Sequence, residues 1–154
     1  MNHTIESALR FVNVTTSGLL AGSLGFGGSA LVPGWKEELP ERMRRRDITD
    51  YFDAIGPVAL GTAVALAIAA RGEGAFRRAL DAGAAIGLAG VLASTLMVTV
   101  PISREMDAQP ATDYPSEKSK TLVTNWGRAH VVRRTLGIGA FLCAAAAAMA
   151  SQRK

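Results

Sequence analysis

The chain has 154 residues, 49% of them hydrophobic, with 17 Lys/Arg against 13 Asp/Glu and one cysteine. That length fits one domain, and the composition excludes a disordered chain and a disulfide scaffold. The placement of the charges argues further against an ordinary soluble domain.

Four stretches carry no charge: Phe11–Trp35, Ala54–Ala70, Ala82–Ser103 and Thr135–Gln152. A helix on a soluble bundle keeps one polar face in water, whereas these runs are apolar or weakly polar all the way round. At 1.5 Å per residue they reach roughly 26 to 38 Å, which matches the hydrocarbon core of a bilayer. The sequence therefore reads as all-α, a bundle of four transmembrane helices in an integral, multi-pass membrane protein. One domain covers 1–154, with spans at 11–32, 54–70, 82–102 and 135–151.

The first helix is expected over 8–32. Its apolar run is longer than the core of a signal peptide and is broken by Gly18, Gly22, Gly25, Gly27 and Gly28, so it reads as retained. Arg10, Asn13 and Ser17, with Thr16 one step round, form a polar stripe. Such groups face a bundle interior because lipid offers them no hydrogen-bond partner. They serve either as glue between helices or as the lining of a pocket, and in the second case Asn13 is a substrate-binding candidate.

The glycines of GSLGFGG lack the strand before and the acid after that a dinucleotide loop needs. Gly18-xxx-Gly22 and Gly83-xxx-Gly87 instead suit close approach of helices, within the bundle or between copies in an oligomer. Arg42–Asp47 looks like a basic patch, but Glu37, Glu38, Glu41, Asp50 and Asp53 surround it and cancel its field. It gives no reason to expect a nucleic-acid partner; the bilayer itself is the expected one.

A second helix is expected over 49–70 and a third over 76–102, joined by a tight link at 71–81, so the two should be antiparallel neighbours. The stretch 103–120, with two prolines and mixed charge, reads as the flexible segment. More basic residues fall on the side of the two longer loops than on that of the termini, which by the positive-inside rule puts the termini outside.

The fourth helix, expected over 121–151, opens with NWGRAHVVRR, Asn125–Arg134. Trp126, His130 and Arg133 stand at i, i+4 and i+7 and share one helix face. An interfacial anchor accounts for the tryptophan and the arginine, and a functional site accounts for the histidine as well. Cys143 is a small buried hydrophobe, and the two histidines, His3 and His130, form no metal-ligand cluster with it.

Taken together, these features resemble the small four-helix membrane proteins of the anthrone oxygenase-like family. The likeness rests on the glycine-rich first span with Gly18 and Gly22, on Val100-Pro101-Ile102 closing the third, and on Trp126, His130 and Arg133 opening the fourth. The family places Asn after the Val-Pro-Ile, where this chain has Ser103. Many members also carry a tryptophan in the following loop, where residues 104–125 have none.

The resemblance implies oxygenation of an anthrone, a tricyclic polyketide, to the anthraquinone with no metal and no flavin or other cofactor. The partners would be O2 and a hydrophobic aromatic molecule arriving from the bilayer. His130 would be the base, Arg133 the stabiliser of the oxyanion, and Trp126 a flat face for the fused rings. The competing reading is a non-catalytic membrane protein that binds a hydrophobic ligand or a partner helix. A channel would need ionisable groups inside the spans, and haem bound through His130 would have one evident axial ligand.

Overall fold

The computed structural model describes residues 2–26, 47–108 and 116–151, and within them the chain is entirely helical. The helices are α1 (His3–Phe26), α2 (Asp47–Ala69), α3 (Ala75–Ser94), α4 (Val100–Asp107) and α5 (Glu117–Ser151). A 3-10 turn, Ala70–Gly72, links α2 to α3, and a π turn, Thr95–Thr99, joins α3 to α4 so that the two form one continuous rod. The result is the four-helix bundle that the sequence pattern predicts. The basic patch at 42–46 and the part of the first span beyond Phe26 lie outside the described residues.

Local chemistry sets several boundaries. The Asn2 side chain accepts the Thr4 N–H at 3.1 Å, which caps α1 and starts it earlier than the apolar run alone suggests. Ser116 caps α5 in the same way, accepting the Ser119 N–H at 3.1 Å. The π turn falls where the sequence demands it. Pro101 has no N–H, and its ring would press on the carbonyl one turn back. Just before it, the Val100 N–H bonds the Thr95 carbonyl, five residues earlier. That extra residue in the turn takes up the misfit.

Two expectations need correcting. The third helix, expected from 76, begins at Ala75, so the 71–81 link overlaps it and Arg77 and Asp81 stand in its first turns. The flexible stretch expected at 103–120 is helical to Asp107 and again from Glu117, with residues 109–115 outside the described part. Met106 holds that extension down, buried with Leu122, Val123 and Trp126 of α5, and Lys118 pairs with Glu105 at 2.9 Å.

The main core is small-residue packing: Leu20, Leu24, Ala59, Ala63, Ala84, Leu88, Val91, Ala140 and Ala144. Glycines set the spacing. A Cβ on Gly87 would stand 2.9 Å from Ala140 Cβ and 3.1 Å from the Leu136 carbonyl oxygen, so α3 and α5 can meet this closely only if the residue is glycine. Gly83 faces Cys143, and Gly18 faces Phe141, whereas Gly22 has nothing within 4 Å. Outside, Phe11, Leu19, Ile86, Leu96, Met97, Leu142 and Met149 are exposed. Large apolar side chains outside and alanines inside suit a lipid surround.

Among the described residues, three helices are long and apolar enough to cross a membrane: Ala54–Gly72, Ala75–Met106 and Glu117–Ser151. α1 is not one of them, because it carries Glu6, Arg10 and Asn13 and is described only to Phe26. At 35 residues, α5 is about 52 Å long, well beyond a hydrocarbon core of about 30 Å. Its charged N-terminal half, paired with α4, therefore continues past the uncharged run that begins at Thr135.

Candidate functional site

The face shared by Trp126, His130 and Arg133 on α5 is turned inward, and all three residues are buried. The imidazole stacks on the indole, with ring centroids 5.0 Å apart and planes 12° from parallel. The Arg133 guanidinium reaches back over the indole, its carbon 5.3 Å from the ring centroid. Its Nη2 also lies 3.0 Å from His130 Nδ1. Helical spacing brought these three residues to one face, and their side chains close into a single cluster.

The fourth member of the site comes from α1. His130 Nε2 lies 2.8 Å from the Leu24 carbonyl oxygen. Leu24 stands near the end of α1 as described, and a main-chain carbonyl has two lone pairs, so it can accept the imidazole N–H across the helix interface. Gly137, one turn beyond Arg133, allows the approach: a Cβ there would stand 3.0 Å from Leu24 Cδ1.

These two contacts fix the tautomer. A carbonyl oxygen can only accept, so Nε2 carries the proton and donates it. A guanidinium can only donate, so Nδ1 presents its lone pair to Arg133. The neutral Nε2–H form is the one that satisfies both bonds. Arg133 has spare capacity, because its Nε–H is buried without a hydrogen-bond partner among the described residues.

Asn13 does not join this cluster. It sits about 16 Å along α1 from Leu24, 2% exposed, and donates to the Ala59 carbonyl at 2.9 Å and to Thr62 Oγ1 at 3.0 Å. Ser17 turns back on its own helix, donating to the Asn13 carbonyl at 2.6 Å. Asn13 thus ties α1 to α2, whereas the Ser17 contact stays within α1.

A second polar cluster lies at the other end of α1, and its members on α3 were not singled out from the sequence. Arg10 makes two parallel hydrogen bonds to Asp81, each 3.0 Å, and a third to Glu6. Arg77 also pairs with Glu6 and reaches Glu73 at 3.4 Å. A small cavity of about 80 Å³ opens beside them, lined by Glu6, Arg10, Leu66, Ala70, Glu73 and Arg77 among others. Glu6/Arg10 and Arg77/Asp81 are both i, i+4 pairs, and that spacing was the available signal.

The profile of the anthrone oxygenase family matches residues 49–143. The matched segment contains α2 but for its first two residues, Val100-Pro101-Ile102, Trp126, His130 and Arg133, and leaves α1 with Asn13 outside. No curated protein and no solved structure matches the chain. With more than half of its length matched, including every member of the buried α5 cluster, the chain belongs to the anthrone oxygenase family.

Proposed function

We propose that the protein is a multi-pass membrane oxygenase that converts an anthrone-type polyketide to the quinone without a cofactor. The observation that carries this reading is the buried contact of Trp126, His130 and Arg133 inside the segment that matches the family.

The chemistry asks little of the protein. The methylene of an anthrone is flanked by two aromatic rings and lies across the central ring from a ketone. Removal of one proton gives an anion whose charge spreads onto that ketone oxygen. The anion is electron-rich enough to reduce O2 directly, and a new C–O bond forms as a peroxide at the former methylene. Loss of the second C–H proton with cleavage of O–O then gives the quinone and one water. The two oxygen atoms of O2 end in the new carbonyl and in water, and the substrate supplies all the electrons.

Each residue has a task in that sequence. His130 takes the first proton at Nδ1, while Leu24 holds the other nitrogen and steadies the imidazolium. Arg133 donates to the ketone oxygen as it gains charge. Trp126 lies against the fused rings.

The test is O2 uptake by detergent-solubilised protein with a panel of anthrones, corrected for spontaneous oxidation. Uptake above background that collapses in His130→Ala supports the reading. Uptake that survives the substitution removes His130 as the base, and its absence with every anthrone tested counts against the enzyme. A non-catalytic, ligand-binding role is the second reading. It is favoured by one observation: both nitrogens of His130 already have partners.

A further inference from the structure

We infer that Arg133 is a latch on the base: it caps His130 Nδ1 until an oxygen of the bound molecule draws it away. The inference rests on the oxygenase reading for its substrate, but its geometry stands independently.

A base needs an exposed lone pair. His130 has one, at Nδ1, because its Nε2 proton is committed to the Leu24 carbonyl, which cannot accept a proton in exchange. That lone pair is occupied by Arg133 Nη2 at 3.0 Å. The resting site therefore holds a histidine in the correct tautomer for proton abstraction and blocks it with its neighbour. No C–H can reach Nδ1 while the guanidinium stays.

The same guanidinium carries the means of release. Arg133 is 7% exposed, and its Nε–H is buried with no hydrogen-bond partner among the described residues. It lies over the indole of Trp126, its carbon 5.3 Å from the ring centroid. A ligand oxygen placed at Nε–H satisfies that donor and offers a better acceptor than a neutral imidazole, more so as negative charge builds on it. Turning the guanidinium toward that oxygen takes Nη2 off Nδ1. The contact that stabilises the oxyanion is then also the one that uncovers the base.

This assigns a substrate class and a selection rule. The molecule is flat and apolar, and it must carry a carbonyl or phenolic oxygen that reaches Arg133. A molecule of the same outline that lacks such an oxygen, whether a hydrocarbon or a diaryl ether with its weakly accepting oxygen, leaves the base capped. An unoccupied site cannot take protons from other molecules in the bilayer.

Xanthone and xanthene separate these cases. Both have the tricyclic outline; xanthone keeps the ketone and has a ring oxygen where the methylene would react, and xanthene lacks the ketone. The experiment follows the 15N resonances of His130 in detergent-solubilised His3→Gln protein, which leaves a single histidine, with binding followed by tryptophan quenching. The resting protein should show Nε2–H and an Nδ1 resonance moved upfield by a hydrogen bond. Saturation with xanthone should move Nδ1 downfield, and saturation with xanthene should not.

Arg133→Ala should start at the downfield position and respond to neither. The latch is overturned if the resting ring is the Nδ1–H tautomer, if xanthone saturates with Nδ1 unmoved, or if xanthone does not bind. O2 uptake with an anthrone in the same preparation judges the oxygenase separately. His130-dependent uptake with an unmoved Nδ1 sinks the latch alone, and a moved Nδ1 without uptake sinks the oxygenase alone.

Discussion

Arg10 and Asp81 are joined by two parallel hydrogen bonds of 3.0 Å, and their side chains are 7% and 3% exposed. This pair ties α1 to the start of α3 at the end of α1 away from His130. Removing one partner takes two hydrogen bonds from the other and leaves it one remaining contact, Arg10 with Glu6 or Asp81 with Arg77 at 4.0 Å. The cost therefore lies toward the lower end of the about 3–5 kcal/mol typical of a broken buried pair. Arg10→Met and Asp81→Leu should each lower the unfolding free energy in detergent by that order. The double variant should regain most of the loss, because Glu6 and Arg77 still pair with each other. Single losses below about 1 kcal/mol would mean that the network is solvated and does little.

Gly87 and Gly139 offer a matched comparison on facing helices. A methyl on Gly87 meets Ala140 and the Leu136 carbonyl, so Gly87→Ala forces α3 and α5 apart at a cost of about 1–3 kcal/mol. Gly139 has nothing within 4 Å of the same position, so Gly139→Ala adds only helix propensity, up to about 1 kcal/mol in favour. Thermal unfolding of the two variants should move in opposite directions. A neutral Gly87→Ala would show that the interface gives way more easily than its contacts indicate.

Asn13→Leu removes two buried hydrogen bonds to α2, to the Ala59 carbonyl and to Thr62. The Ala59 carbonyl keeps its helix bond, so the loss should be about 1–3 kcal/mol. The readout is the melting temperature. A raised KM at an unchanged melting temperature would instead return Asn13 to the substrate site.

How far the sequence carried these conclusions depended on what kind of group was involved. The absence of charge over Ala54–Ala70, Ala82–Ser103 and Thr135–Gln152 marked the three helices that are apolar enough to cross a membrane. The period of Trp126, His130 and Arg133 marked a face, and that face is where the cluster forms. The Leu24 carbonyl was invisible because a main-chain acceptor has no residue identity; only the packing of α1 on α5 brings it to His130. Arg77 and Asp81 were hidden for another reason. The helix expected from 76 already held them, but their partners Arg10 and Glu6 lie on α1, far off in the sequence, and an i, i+4 charge pair shows only that two side chains share a helix face. The helix past Ile102 was missed because the prolines and charges of 103–120 outweighed one buried methionine, Met106, in a reading by composition.

His130→Gln separates anchor from base more cleanly than alanine does. The glutamine amide can still donate to the Leu24 carbonyl, as Nε2 does now at 2.8 Å, so the tie between α1 and α5 survives. What it cannot do is take a proton, because an amide is not basic near neutral pH. His130→Ala loses both functions. The oxygenase reading therefore expects His130→Gln to melt within a few degrees of the parent and to lose about 100- to 10,000-fold in turnover, the usual worth of a general base. His130→Ala should lose stability as well, by the order of 1 kcal/mol or more for the lost hydrogen bond to Leu24. If His130→Gln keeps its turnover, the histidine is an anchor only, and the proton must leave by another route.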